Sequence, residues 1–220
     1  MLTRWQWSSV FLALIIITVI SGRFDRAQDR QIGVLERRVA AIQVSSSNFH
    51  EVLGKLVYKY DVPIGIEVPP LDDPPISTNV TIDIPNGNVR QVLDAVTTVA
   101  PHYTWKDVNG AINIVPIADK EPLLDVLIKD FRAADLTTDE ISCAITESPE
   151  VKAALSEFGL RRNDTDIIPS GKPKNPKRYS FRLRDVSVRD ALNYVIRTTD
   201  NRYWVLYRLG PRRQYFTIMV

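Results

Sequence analysis

The sequence predicts an α+β fold: two small modules of repeated strand-helix-strand units, with helices packed against short mixed sheets. Three observations carry this. Short runs with alternating apolar residues give way to runs of helical spacing. That changeover recurs along the chain with the same interval. The composition, 45% hydrophobic and 25% charged, supplies a core without the bias of a disordered chain.

The chain opens with Met1 and Arg4, runs uncharged from Trp5 to Ile20, and closes on Ser21 and Gly22 before a charged stretch. Those 16 residues make about 24 Å of helix, short of a ~30 Å hydrocarbon core. Residues 1–22 therefore fit a signal peptide better than a span, with an N-terminal anchor held by Trp5 and Trp7 as the alternative. Either places the remainder in an exported, periplasmic or cell-envelope setting. Residues 23–41 read as a charged linker or short helix.

Three segments then share one grammar. Ile42 and Val44 precede Phe49, Val52 and Leu53. Ile82 and Ile84 precede Val89, Val92 and Leu93. Phe181 and Leu183 precede Val188, Ala191 and Leu192. Asn48, Asn88 and Ser187 stand where a helix cap belongs. Burying five or six such side chains yields on the order of 10 kcal/mol, less than the entropy of ordering about forty residues, so one unit should not fold alone.

Between the repeats, Pro63 stops the first helix and Ile64, Ile66 and Val68 alternate as a strand before the prolines of 69–75. Asn109-Gly110 joins Tyr103–Val108 to Ala111–Val115 as a hairpin. Residues 118–122 read as a linker. A fourth, degenerate copy begins with Val126, Ile128 and Phe131 and opens a helix at Thr138 or Asp139. An extra helix covers 149–158, with Pro149 in its first turn, and 161–178 reads as a flexible basic loop. Tyr203–Leu209 and Gln214–Val220 complete the strands, and Ala111–Val115 and Gln214–Val220 are the candidate open sheet edges.

Residues 42–117 resemble the short N-terminal module of secretins and TonB-dependent receptors (STN). The carrying pieces are the run Ile42 to Leu53, the strand Val80–Ile84, the helix with Val92-Leu93-Asp94-Ala95-Val96, and the Tyr103–Ile117 hairpin. The resemblance implies two helices held between small sheets and a role in periplasmic protein contacts, in a secretin-type or TonB-linked pathway. Residues 123–220 look like a second, diverged copy. In those families the module precedes a large barrel, whereas this sequence ends at Val220, so the expectation is a separate component.

Candidate chemistry is sparse. The single Cys143 gives no disulfide framework and reads as a buried apolar residue. His50-Glu51-Val52-Leu53-Gly54 lacks the second imidazole of a zinc-protease helix. Asp72 and Asp73 lack further ligands at calcium-loop spacing. The expectation is no enzyme, no cofactor and no metal.

Charge is more informative. Residues 1–160 carry 14 basic against 21 acidic side chains, and the remainder 14 against 5, a net −7 against +9. Lys172, Lys174, Lys177 and Arg178 precede a strand in which Phe181 and Leu183 face inward and Arg182 and Arg184 outward. These six residues are the candidate partner-binding group. The expected function is that of an exported protein-interaction module, an adaptor or assembly component with an envelope protein partner or with itself. The alternative is binding of nucleic acid or anionic glycan, with Tyr179, Tyr203, Tyr207 and Tyr215 for stacking. The membrane enters only through an uncleaved N-terminal segment.

Overall fold

In the computed structural model, residues 33–46, 49–68, 80–118, 120–163, 175–209 and 215–220 are described. The segment 1–32, on which the expectation of a signal peptide or anchor falls, lies outside them, as do Asp72 and Asp73. The fold is α+β. The first module runs through a short 3-10 turn (Val34–Glu36), β1 (Arg38–Ser46), α1 (His50–Tyr60), β2 (Ile64–Glu67), β3 (Val80–Asn88), α2 (Val89–Val99), β4 (Tyr103–Val108) and β5 (Ala111–Pro116). The second repeats this order with one added helix, α4: a 3-10 turn (Pro122–Asp125), β6 (Leu127–Leu136), α3 (Thr138–Thr146), α4 (Pro149–Glu157), β7 (Arg161–Arg162), β8 (Tyr179–Ser187), α5 (Val188–Thr198), β9 (Tyr203–Leu209) and β10 (Tyr215–Met219).

The helices form where the sequence stripes place them. Asn88 accepts the Gln91 amide and the Gln91 side chain accepts the Asn88 amide, a reciprocal cap. The Ser187 hydroxyl oxygen accepts the Asp190 amide and its O–H donates to the Asp190 carboxylate. Helix α1 differs: its cap position is Phe49, which makes no side-chain cap bond, and Asn48 lies outside the described residues. Phe49 is held instead by burial and by the ring of Tyr103, 4.9 Å away.

The degenerate fourth copy is real but shifted from its expected register. Its inward residues are Ile128, Phe131 and Ala133, matching Val39, Ile42 and Val44 in β1. Thr137 caps α3 by accepting the Glu140 amide, while the Glu140 carboxylate accepts the Thr137 amide. The acidic residues that break the apolar pattern thus start the helix.

Three boundaries move. Val34 and Leu35 are buried and β1 starts at Arg38, so residues 34–41 belong to the fold rather than to a linker. Glu121, read as linker, is buried and accepts the Leu123 amide to cap the second 3-10 turn. Arg161 and Arg162, read as loop, form β7, because the Asn163 amide reaches the Phe216 carbonyl and the chain pairs with β10.

Two small antiparallel sheets, β1-β3 and β6-β8, flank a six-stranded sheet of order β4-β5-β2-β9-β10-β7. The triplet β4-β5-β2 recurs as β9-β10-β7, since β4/β5 and β9/β10 are antiparallel and β5/β2 and β10/β7 parallel. β2 and β9 join the triplets in parallel. The second triplet is therefore turned over, strands reversed and opposite face to its helices. Strand alternation distributes the core accordingly. Ile64, Ile66, Ile112, Ile114 and Val205 meet α1 and α2, while Ala111, Trp204, Leu206 and Phe216 meet α3, α4 and α5.

This order corrects the expected edges. β5 lies between β4 and β2, and β10 lies between β9 and β7, so neither is free. Among the described residues the outer strands are β4 and β7.

Candidate functional site

The six-stranded sheet contains a built interface, the seam between β2 and β9. The Ile64 amide donates to the Arg202 carbonyl at 2.8 Å and the Val68 amide to the Leu206 carbonyl at 3.0 Å. Gly65 lies opposite Trp204. The indole is fully buried on it, and a Cβ at Gly65 would stand 2.2 Å from the ring. The Trp204 Nε1–H donates to Asn193 Oδ1 at 2.8 Å, and Asn193 exchanges two 3.2 Å bonds with Asn113 of β5, all three residues buried.

Charge joins the seam at both ends. Arg189 of α5 donates to Glu67 of β2 at 2.5 Å, with the Glu67 side chain 2% exposed. Arg202 donates to Asp61 at 2.6 Å and to the Ile196, Arg197 and Thr199 carbonyls at the end of α5. Part of the charge asymmetry between the halves is thus used internally, with arginines of the second module on acids of the first.

The mirror of this seam is an open edge. Among the described residues, β4 is paired only with β5. The His102 carbonyl accepts from Ile117, so strand alternation turns the carbonyl of Tyr103 and the peptide groups of Trp105 outward. Trp105 is half-buried there, its Nε1–H donating to Asp94 Oδ1 of α2 at 3.0 Å.

Of the predicted basic group, the described members Lys177, Arg178 and Arg182 each meet a carboxylate. Lys172 and Lys174 lie outside the described residues. Lys177 pairs with Asp200 at 2.6 Å, which holds the ammonium above its ordinary range. Arg178 pairs with Asp135 at 3.1 Å and Glu140 at 3.2 Å. Arg182 grips Asp130 with two bonds of 2.6 and 2.5 Å, and Arg184 is exposed on the same strand. Tyr203 and Tyr207 pack against the first module's core, and burial raises both phenols, so they are not free stacking platforms. Tyr179 accepts the Asp200 amide.

Asp130 supplies a test of this neutralisation. The Arg182 hydrogen bond, followed by the charges of Arg182, Arg184 and Arg132, holds its carboxyl below the usual range. A depressed folded value contributes stability present above the unfolded value and lost as pH falls through the folded one. Carboxyl-carbon NMR should show Asp130 titrating below an ordinary aspartate, and Arg182→Gln should move it upward. An unchanged midpoint would show the pair does not persist in solution.

Other groups are engaged locally. Cys143 is half-buried, its Sγ accepting from the Arg162 guanidinium at 2.9 Å. A cleft of about 550 Å³ lies between Glu147, Lys152, Ser156 and Arg162, with Glu147 and Lys152 paired at 2.6 Å. His50 stacks on Phe49 at 4.4 Å, and burial lowers its imidazole. Among the described residues no cluster of acids, histidines and cysteine has the makings of a metal site, and no helix is long and apolar enough to cross a membrane.

The residues missed from sequence are Gly65, Glu67, Asn113, Arg189, Asn193 and Trp204 of the seam, with Arg90, Asp94 and Trp105 at the open edge. A signal for part of this set exists: Arg90, Asp94 and Trp105 precede Arg189, Asn193 and Trp204 by the same displacement that relates the apolar stripes. Comparison with protein-family models, characterised proteins and solved structures returned no match.

Proposed function

We propose that this chain is an exported protein-interaction module of the cell envelope, an adaptor or assembly component that docks another polypeptide by strand addition. The observation that carries the reading is the pairing state of the central sheet. The chain joins its own modules by laying β2 along β9, and among the described residues β4, the counterpart of β9, is unpaired on its outer side. Main-chain bonds at such an edge give affinity and the flanking side chains give selectivity. The secretory layout of residues 1–22 and the STN-like pattern of 42–117 support the envelope setting.

The reading favours a polypeptide over an anionic polymer because Lys177, Arg178 and Arg182 are each held by a carboxylate of the same module. A photo-cross-linker at exposed Lys106 on β4, in the full chain within its native cell, tests it against the same group at exposed Lys129. The expected result is envelope fractionation and one defined polypeptide joined at position 106 and not at 129. Cytosolic fractionation, or equal products at both positions, would overturn it.

A further inference from the structure

We infer that the β4 edge is a preformed receptor for a parallel strand of the pattern apolar-Gly-apolar-acidic, supplied by a second polypeptide, its glycine beneath Trp105 and its acid on Arg90. The inference rests on the strand-addition reading and names the chemistry of the partner.

The argument is the correspondence between the two modules. In the second, Trp204 of β9 donates to Asn193 of α5 at 2.8 Å, and Arg189 one turn earlier on that helix reaches across the seam. In the first, Trp105 of β4 donates to Asp94 of α2 at 3.0 Å, and Arg90 one turn earlier lies over the Trp105 ring, 5.7 Å from its centroid. The tryptophan, its acceptor and the arginine recur in the same places on the same elements. The acceptor is an amide in the second module and a carboxylate in the first, and the burial differs: Trp204 and Asn193 are covered by β2 and β5, whereas Trp105 is half-buried and Asp94 exposed.

The arginines identify what is missing. Arg189 faces two carboxylates, Asp125 of its own module at 3.6 Å and Glu67 of the incoming strand at 2.5 Å. Asp125 belongs to the 3-10 turn that opens the second module, and its counterpart in the first is Glu36, which Arg90 holds at 3.2 Å. Arg90 thus has its own module's carboxylate and, among the described residues, no counterpart of Glu67. Its side chain is 47% exposed, against 16% for Arg189.

Sterics identify the glycine. The indole at the seam lies so close to the facing strand that a Cβ at Gly65 would overlap it. A strand entering beside β4 with the same register meets Trp105 where Gly65 meets Trp204, so a side chain there is excluded while the ring keeps its bond to Asp94. Two residues further on, the acid comes alongside Asp107, whose carboxylate is turned into the hairpin and accepts the Gly110 amide at 2.7 Å. β2 is itself the model ligand, since Ile64-Gly65-Ile66-Glu67 has this pattern, but within the chain it is consumed by the seam.

The test titrates the capped peptide Val-Pro-Ile-Gly-Ile-Glu-Val, the sequence of residues 62–68, into the ¹⁵N-labelled full chain. Saturable shifts are expected at the Trp105 and Asp107 amides and at the Trp105 indole. A Gly→Val peptide should produce none. A Glu→Gln peptide should bind about fivefold more weakly, Arg90→Gln should weaken the parent peptide equally, and the two losses should not add. Unchanged signals over 103–107, shifts confined to 203–206, or equal binding of the Gly→Val peptide would overturn the inference. Cross-linking separates its failure from that of the broader reading: a polypeptide captured at position 106 without the glycine-acid pattern upholds docking and overturns the inference. Peptide binding without any captured polypeptide upholds the selectivity of the edge and overturns the envelope partner of the broader reading.

Discussion

Gly65→Ala is expected to lower stability by ~3–5 kcal/mol, the cost of removing a large aromatic from a core, although it adds a single methyl group. The new Cβ would lie 2.2 Å from Cε2 of Trp204 and 2.5 Å from its Nε1, and the ring is enclosed. Either the indole leaves its site, giving up its bond to Asn193, or β2 parts from β9. The first outcome also exposes Asn193 and Asn113 to incomplete pairing, and the second opens the only strand contact between the two triplets among the described residues. Urea unfolding of the single variants Gly65→Ala and Trp204→Ala, and of the double, resolves the cause. If collision is the mechanism, the double should be no less stable than Trp204→Ala alone, because the added methyl then has room. Additive losses would mean that Gly65 is required for its backbone rather than for the ring above it, and would remove the steric half of the reasoning about Trp105.

What could be read from the sequence was whatever periodicity encodes. The α1, α2 and α5 stripes, the Asn109-Gly110 hairpin with φ of 55° and 87°, and the α+β class follow from local spacing, since burial on one face imposes it. The sheet order does not follow, because a run such as Ala111–Val115 is equally apolar at an edge or in the interior; here both of its faces are buried. The seam was hidden for a related reason. Glu67 and Asn113 interrupt buried strands, and polar residues there look like exposed positions until the facing Arg189 and Asn193, more than seventy residues away in the chain, are brought to them. The ion pairs of the basic group were hidden by the opposite cause. Its outward direction was legible in the alternation of Phe181 to Arg184, but the carboxylates that meet it, Asp130, Asp135, Glu140 and Asp200, come from three other parts of the chain.

The Glu67–Arg189 pair carries the second large effect, and its sign depends on how many partners are removed. Glu67→Leu should cost ~3–5 kcal/mol, as should Arg189→Leu, since each leaves a desolvated charge without its closest partner. The side chains are 2% and 16% exposed, and Asp125 at 3.6 Å is too far and too solvated to replace Glu67. The double replacement should behave differently. Glu67 Oε2 and Arg189 Nη1 are buried without hydrogen-bond partners, so the pair is incompletely satisfied and its attraction offsets little more than its own desolvation. Thermal and urea unfolding of Glu67→Leu/Arg189→Leu should therefore fall within about 1 kcal/mol of the parent or above it. A double variant as unstable as the two losses combined would show that the pair stabilises the seam outright. The expected outcome assigns it selection instead. An apolar pair would hold any greasy strand against β9, whereas Arg189 admits the one that brings an acid two residues after its glycine, and Arg90 imposes the same condition on whatever comes to β4.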